Sequence, residues 1–161
     1  VKTKTFNLGA VLSISQDRLV AEDGVDALYQ ILNWMTGDNL YTHQLPRAMR
    51  ECRPYLLRWF PELMIAETPL AQAELDKFLE GCGHDETKLK HAVVAWQAWL
   101  QISEGLKGKY EIPKIPRDDH DVKNPIDELV EMVGKDRVVV VEQEEHDPAD
   151  DWKKGADKSS K

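Results

Sequence analysis

The sequence predicts a single α+β domain, mostly helical, with a small β-sheet. Three observations predict it. Apolar residues recur at helical spacing over residues 25–36 and 85–103. β-Branched residues gather in two short patches, 5–20 and 137–142, which pair into the small sheet. From Glu142 the chain turns polar, so the globular domain is assigned to residues 1–142 and an acidic, then Lys-rich, disordered tail to 143–161.

The elements follow in order. "TFNLGAVLSISQDRLV", residues 5–20, mixes β-branched and polar residues and predicts one or two short strands, with a turn near Ser15–Asp17. A helix from Val25 to Thr36 follows, with Val25, Leu28, Leu32 and Met35 on its buried face and Gly37 placed to close it. Residues 42–59 predict two short helices, with Pro46 in a first helical turn and Pro54 as a kink or a new start. Thr68-Pro69 opens a helix that ends at Gly81 or Gly83. The longest helix runs from Asp85 to Ser103, with Leu89, Ala92, Val93, Trp96, Trp99 and Leu100 as a core stripe. "YEIPKIPRDDHDVK" predicts an extended connector, and Asn124-Pro125 opens a last helix that carries Ile126, Leu129, Val130 and Val133 on one face.

Composition bounds the function classes. A chain of 161 residues with net charge −8 is large enough for a real core and poorly suited to wholesale nucleic-acid binding. No run approaches the roughly 18–20 apolar residues of a membrane span. The opening residues do not read as a signal peptide, so a cytoplasmic setting is expected, with Cys52 and Cys82 reduced.

Positive charge is concentrated in residues 37–63, where Arg47, Arg50, Arg53 and Arg58 face only Glu51 nearby, with His43 just ahead and Trp59 just behind. At a spacing of three, Arg47, Arg50 and Arg53 are expected to share a helix face. Guanidinium forks match carboxylates and phosphates, so with His43 these residues can cradle an anion or a partner. Alternatively they anchor the helix pair to the chain's own excess acids, and charge alone slightly favours that anchor. The helix-turn-helix outline fits poorly, because Gly37 to Pro46 is longer than that motif's turn.

Other chemistry is thinly supported. Cys82, His84, His91 and Cys52 lack the spacing of a structural zinc site. Cys82 is read instead as closing one helix and His84 as capping the next. No nucleophile motif or phosphate loop is present, so no catalytic residue, metal or cofactor is expected. Trp34 and Trp59 are the two tryptophans open to an interface role. An acidic surface is expected at Asp118, Asp119, Asp121, Glu142, Glu144 and Glu145, attractive to a basic partner.

"LNWMTGDNLYTHQLPRAMRECRPYLLRWFPEL" (32–63) and "NPIDELVEMVGKDRVVVV" (124–141) resemble a family of small proteins of bacteriophages and other mobile elements, a domain of unknown function. The resemblance carries no catalytic residue over. It implies a phage accessory protein that acts in the bacterial cytoplasm by binding a host protein, such as a nucleic-acid-binding defence enzyme, as an anti-CRISPR or anti-restriction inhibitor. Two rivals stand beside it: a nucleic-acid-binding module that uses the Arg-rich 42–59 segment, and a small nucleotide-processing enzyme. The enzyme requires a pocket that joins His43 to Arg47 or Arg50.

Overall fold

A computed structural model describes residues 1–134. The architecture is α+β and mostly helical, in two compact units, residues 1–125 and residues from 126 onward. In the first unit, β1 (Thr3–Asn7) leads directly into α1 (Leu8–Ser15). Then come α2 (Val25–Thr36), α3 (Leu45–Trp59), α4 (Pro69–Leu79), α5 (Glu86–Ser103) and β2 (Lys109–Pro113). Short 3-10 turns occupy Thr42–Gln44, Pro61–Glu67 and Arg117–Asp119.

The first correction to the expected order falls at the N-terminus. Only the start of the 5–20 segment is strand; "LGAVLSIS" is a helix whose eight residues are all buried. A short, continuously apolar run has no polar face to reveal its period, so strand and buried helix look alike in sequence. Local chemistry sets the boundary. The Asn7 side chain caps α1 by accepting from the Ala10 amide at 2.9 Å, and the chain leaves α1 through Asp17 at φ 52°.

The helix is central because it is packed on several sides: against α2, α3, α5 and the sheet. Its closest approach is at Gly9, where a Cβ would lie 3.1 Å from Gln97 Oε1 and 3.2 Å from the Ala21 Cα. Only glycine admits the chain there. Ser13, also buried, accepts from the Val20 amide at 3.0 Å and donates to the Gly9 carbonyl at 2.8 Å, which holds the loop after α1 against it.

The sheet is the second correction. β1 pairs antiparallel with β2, Thr3 opposite Pro113 and Phe6 opposite Tyr110. The expected connector thus begins as a strand, with Tyr110 and Ile112 pointing inward and Lys109 and Glu111 outward. The strand expected at 137–142 lies outside the described residues, as do the expected tail at 143–161 and Glu142, Glu144 and Glu145.

The remaining helices follow their signals more closely. α2 spans its expected bounds and ends at Gly37 (φ 71°), whose amide returns to the Asn33 carbonyl. Ala27, Leu28, Ile31, Leu32 and Met35 face the core, whereas Val25, expected among them, is exposed at the first turn. α4 starts at Thr68-Pro69 as expected, with Thr68 Oγ1 accepting from the Ala71 amide. On α5, Trp96 and Leu100 are buried, Val93 and Trp99 pack against the core, and the Trp96 indole donates to the Ala71 carbonyl at 2.9 Å. The cap of α5 is Asp85, not His84: its carboxylate accepts from the Thr87 and Lys88 amides.

In the second unit, α6 (Pro125–Val133) starts at the boundary proline, carries Asp127 and Glu128 in its first turn and closes at Gly134 (φ 88°).

Candidate interaction face

The Arg-rich segment is one helix, not the expected pair. Gln44 accepts from the Tyr41 amide through its side chain and steers the 3-10 turn into α3. Pro46 sits in the first turn and Pro54 in the interior. Pro54 cannot donate to the Arg50 carbonyl, and its ring crowds that position. Both residues lie on the exposed side of α3, where solvent can satisfy the orphaned carbonyl, so the helix continues.

A helix turns about 100° per residue, so each step of three falls about 60° short of a full turn. Arg47, Arg50 and Arg53 therefore diverge to three different faces, contrary to the shared face expected from their spacing. Residues four apart stay together, and α3 is organised in such rows. Leu45, Ala48, Met49, Cys52 and Leu56 form the buried face, against α1 and α2.

The row His43, Arg47, Glu51 and Tyr55 holds the segment that follows β2. The His43 Nε2 atom donates to the Pro125 carbonyl at 2.7 Å, and the Gln44 amide to the Lys123 carbonyl at 3.2 Å. Arg47 donates to the Asp121 carbonyl and to Glu51, both at 2.6 Å. Tyr55 donates to the Asp119 carboxylate. Ile115, buried at the start of the segment, ties it to α2 through its amide and the Met35 carbonyl at 2.9 Å.

At the centre of this row is His120, 6% exposed. Its Nδ1 lies 2.8 Å from Glu51 Oε2 and its Nε2 lies 2.8 Å from Asp38 Oδ2. A carboxylate only accepts, so both ring nitrogens serve as donors in the doubly protonated ring. Glu51 Oε2 also accepts from the Asp121 amide at 3.1 Å. One buried imidazole thus joins the end of α2, the middle of α3 and the segment after β2. Sequence reasoning passed over His120, because nothing local marks it; its partners are 69 and 82 residues away.

Arg53 points another way. Its Nε donates to the Ser15 carbonyl at the C-terminal end of α1 (2.7 Å), and a terminal nitrogen pairs with Glu67 at 2.9 Å. The end of α1 exposes carbonyls without intrahelical partners, and a cation there is favourable.

The last row is Pro46, Arg50, Pro54 and Arg58, all exposed. Arg50 makes no hydrogen bond or ion pair with a described residue. Arg58 lies over the Tyr55 ring, 5.4 Å from its centroid, and Tyr55 in turn packs on Trp59 at 5.5 Å. Trp34 is held inward by donating to the Ile112 carbonyl at 2.7 Å, with Lys114 over its ring. Of the expected acidic surface, Asp119 is engaged by Tyr55 and Asp121 lies 3.8 Å from Lys123. The Asp118 side chain is exposed and makes no contact with a described residue.

Cys52 is buried in the core, where burial and then the neighbouring Glu51 charge push its thiol up to about 12. Cys82 is half-exposed beyond α4, its Sγ near the Phe78 and Lys88 carbonyls at 3.7 Å. Among the described residues no group of three or more His, Cys, Asp or Glu is placed to hold a metal. Nor is any described helix long and apolar enough to cross a membrane.

Residues 6–66 match the family model of a domain of unknown function, DUF7736. The matched stretch runs from β1 through α3 to the 3-10 turn after it, and so contains every arginine of the face but not the 114–125 segment docked on it. No curated protein and no solved structure matches the chain.

Proposed function

We propose that the chain is a non-enzymatic binding protein that engages a macromolecular partner through the exposed row of α3. Arg50 and Arg58 are its charged contacts, and the Tyr55–Trp59 pair forms its aromatic shoulder. The observation that carries the reading is the division of labour among four arginines. Arg47 and Arg53 spend their donors on the chain's own carbonyls and carboxylates, whereas Arg50 and Arg58 remain directed outward. Arginine beside exposed aromatic rings is the composition of interface anchors, and an acidic patch is its complement.

In its fuller form the proposal keeps the setting suggested by the sequence resemblance. The protein is an accessory factor of a bacteriophage or related element. It acts in the host cytoplasm on a host macromolecule, with a defence nuclease as the preferred target. The enzyme alternative loses ground: His43 and Arg47 donate to the 114–125 segment, and Arg50 lies on a different face. Two outward arginines are also few for tracking a phosphate backbone, which weakens the nucleic-acid alternative.

The test compares intact protein with an Arg50→Glu/Arg58→Glu variant in pull-downs from bacterial lysate, followed by affinity measurement on the purified partner. The reading expects the variant to unfold at the same denaturant concentration as the intact protein and to bind at least ~10-fold more weakly. Arg53→Glu serves as the structural control and is expected to destabilise the fold. Undiminished binding by the double variant sinks the proposed face. Retention of nucleic acid alone, lost log-linearly with salt, transfers the function to the nucleic-acid alternative.

A further inference from the structure

A second feature lies away from the exposed row of α3, at the end of α1. A cavity of about 310 Å³ opens there, lined by Gln16, Arg18, Glu67 and Gln72. All four side chains are polar, and Arg18 and Glu67 carry opposite charges, yet no ion pair joins them. Arg18 is exposed and makes no side-chain hydrogen bond with a described residue. Gln16 caps α1, and its amide nitrogen is enclosed without an acceptor among the described residues. These two side chains supply unspent donors.

Acceptors stand on the other elements. Glu67 gives Oε1 to Arg53 and keeps its second oxygen. Gln72 spends its amide nitrogen on the Ala66 carbonyl at 2.7 Å and keeps Oε1. An arginine and a glutamate that share a cavity without pairing leave room for something between them. A group that bridges them needs an anionic end for Arg18 and Gln16 and a cationic end for Glu67 and Gln72. It also needs no net charge, since the two charges of the lining cancel.

We propose that this cavity binds a small zwitterion, a free amino acid with a polar side chain. Its carboxylate pairs with Arg18 in the forked geometry that guanidinium favours, and its ammonium pairs with Glu67. The lining has no apolar side chain, which selects against large hydrophobic amino acids. Nothing in this inference depends on the interaction face of α3.

The experiment is a backbone-amide NMR titration of the full chain with L-serine and L-glutamine. Ethanolamine and 3-hydroxypropionate serve as probes that lack the carboxylate and the ammonium, respectively. The expected result is a saturable shift of amides near residues 16–18 and 67–72, with Kd near 1 mM (an order-of-magnitude expectation, ~4 kcal/mol). The two half-ligands should bind at least ~10-fold more weakly. Arg18→Gln removes the carboxylate's partner without costing the fold a contact. Glu67→Gln removes the negative charge and keeps an acceptor for Arg53. Each should weaken the intact amino acid to the level of the corresponding half-ligand. No saturable shift up to about 10 mM, an equal response to a half-ligand, or binding unchanged in Arg18→Gln would each overturn the proposal.

Discussion

His120 is the residue on which the outer side of α3 turns. Its ring meets carboxylates from two elements while its own backbone belongs to a third, so one side chain carries constraints among three. Replacing it with Phe fills the volume but leaves Asp38 and Glu51 facing each other across an apolar ring. Hydrogen bonds to charged groups contribute about 1.5–3 kcal/mol each, and carboxylates stripped of a partner add repulsion. His120→Phe is therefore expected to lower stability by about 2 kcal/mol in urea unfolding. It should also speed hydrogen exchange at the Asp119 and Asp121 amides, while the amides of α5 stay protected. Unchanged exchange in residues 117–123 would mean that the segment is held by its other contacts, chiefly Arg47 and Ile115.

At the scale of the element, α3 is a helix whose four rows have four tasks. It buries one row, docks a segment with the second, reaches the end of α1 from the third and leaves the fourth outward. Pro54 sits in that fourth row, and its location explains both why the helix survives and what it forgoes. Restoring the N–H restores a bond to the Arg50 carbonyl, and the exposed ring has no packing to lose. Interior proline is about 3 kcal/mol worse than alanine in a helix, partly offset because proline also stiffens the unfolded chain. Pro54→Ala is expected to stabilise the protein by about 1–2 kcal/mol, read as an upward shift in the midpoint of thermal unfolding. A loss of stability would indicate that a bend at Pro54 is required for the docking of α3.

For the whole molecule, alkaline pH is the condition that the core resists least. Cys52 is buried with its thiol pushed up to about 12, against 9.0 for an ordinary thiol. Between those values the unfolded chain releases the proton and the folded one keeps it. Stability from this group is thus complete below pH 9 and declines as pH rises toward 12, by up to about 1.4 kcal/mol per pH unit. Burial also pushes the Tyr110 phenol up, which acts in the same direction. Comparing Cys52→Ala with the intact chain isolates the thiol's share. The variant should be less stable at pH 7 because of the lost side-chain volume, and should lose stability less steeply between pH 9 and 10.5. Parallel slopes would remove Cys52 as the cause.

The elements legible in the sequence were those written by local chemistry. Gly37 closes α2, Thr68-Pro69 opens α4 and Gly134 closes α6, because caps, prolines and left-handed glycines act within a single turn. The helical stripe of α5 and the mostly helical α+β class were legible for the same reason: amphipathic period is a property of consecutive residues. Burial on all sides erased that period in α1, and pairing across about a hundred residues hid the β1–β2 sheet. The sequence by itself determined that four arginines would cluster on a short stretch of an acidic chain. Only the tertiary structure decided which of them are spoken for. Each successive step of three residues turns the side chain toward a new face, and the acceptors on those faces come from residues 15, 67 and 121, whose proximity no local pattern records.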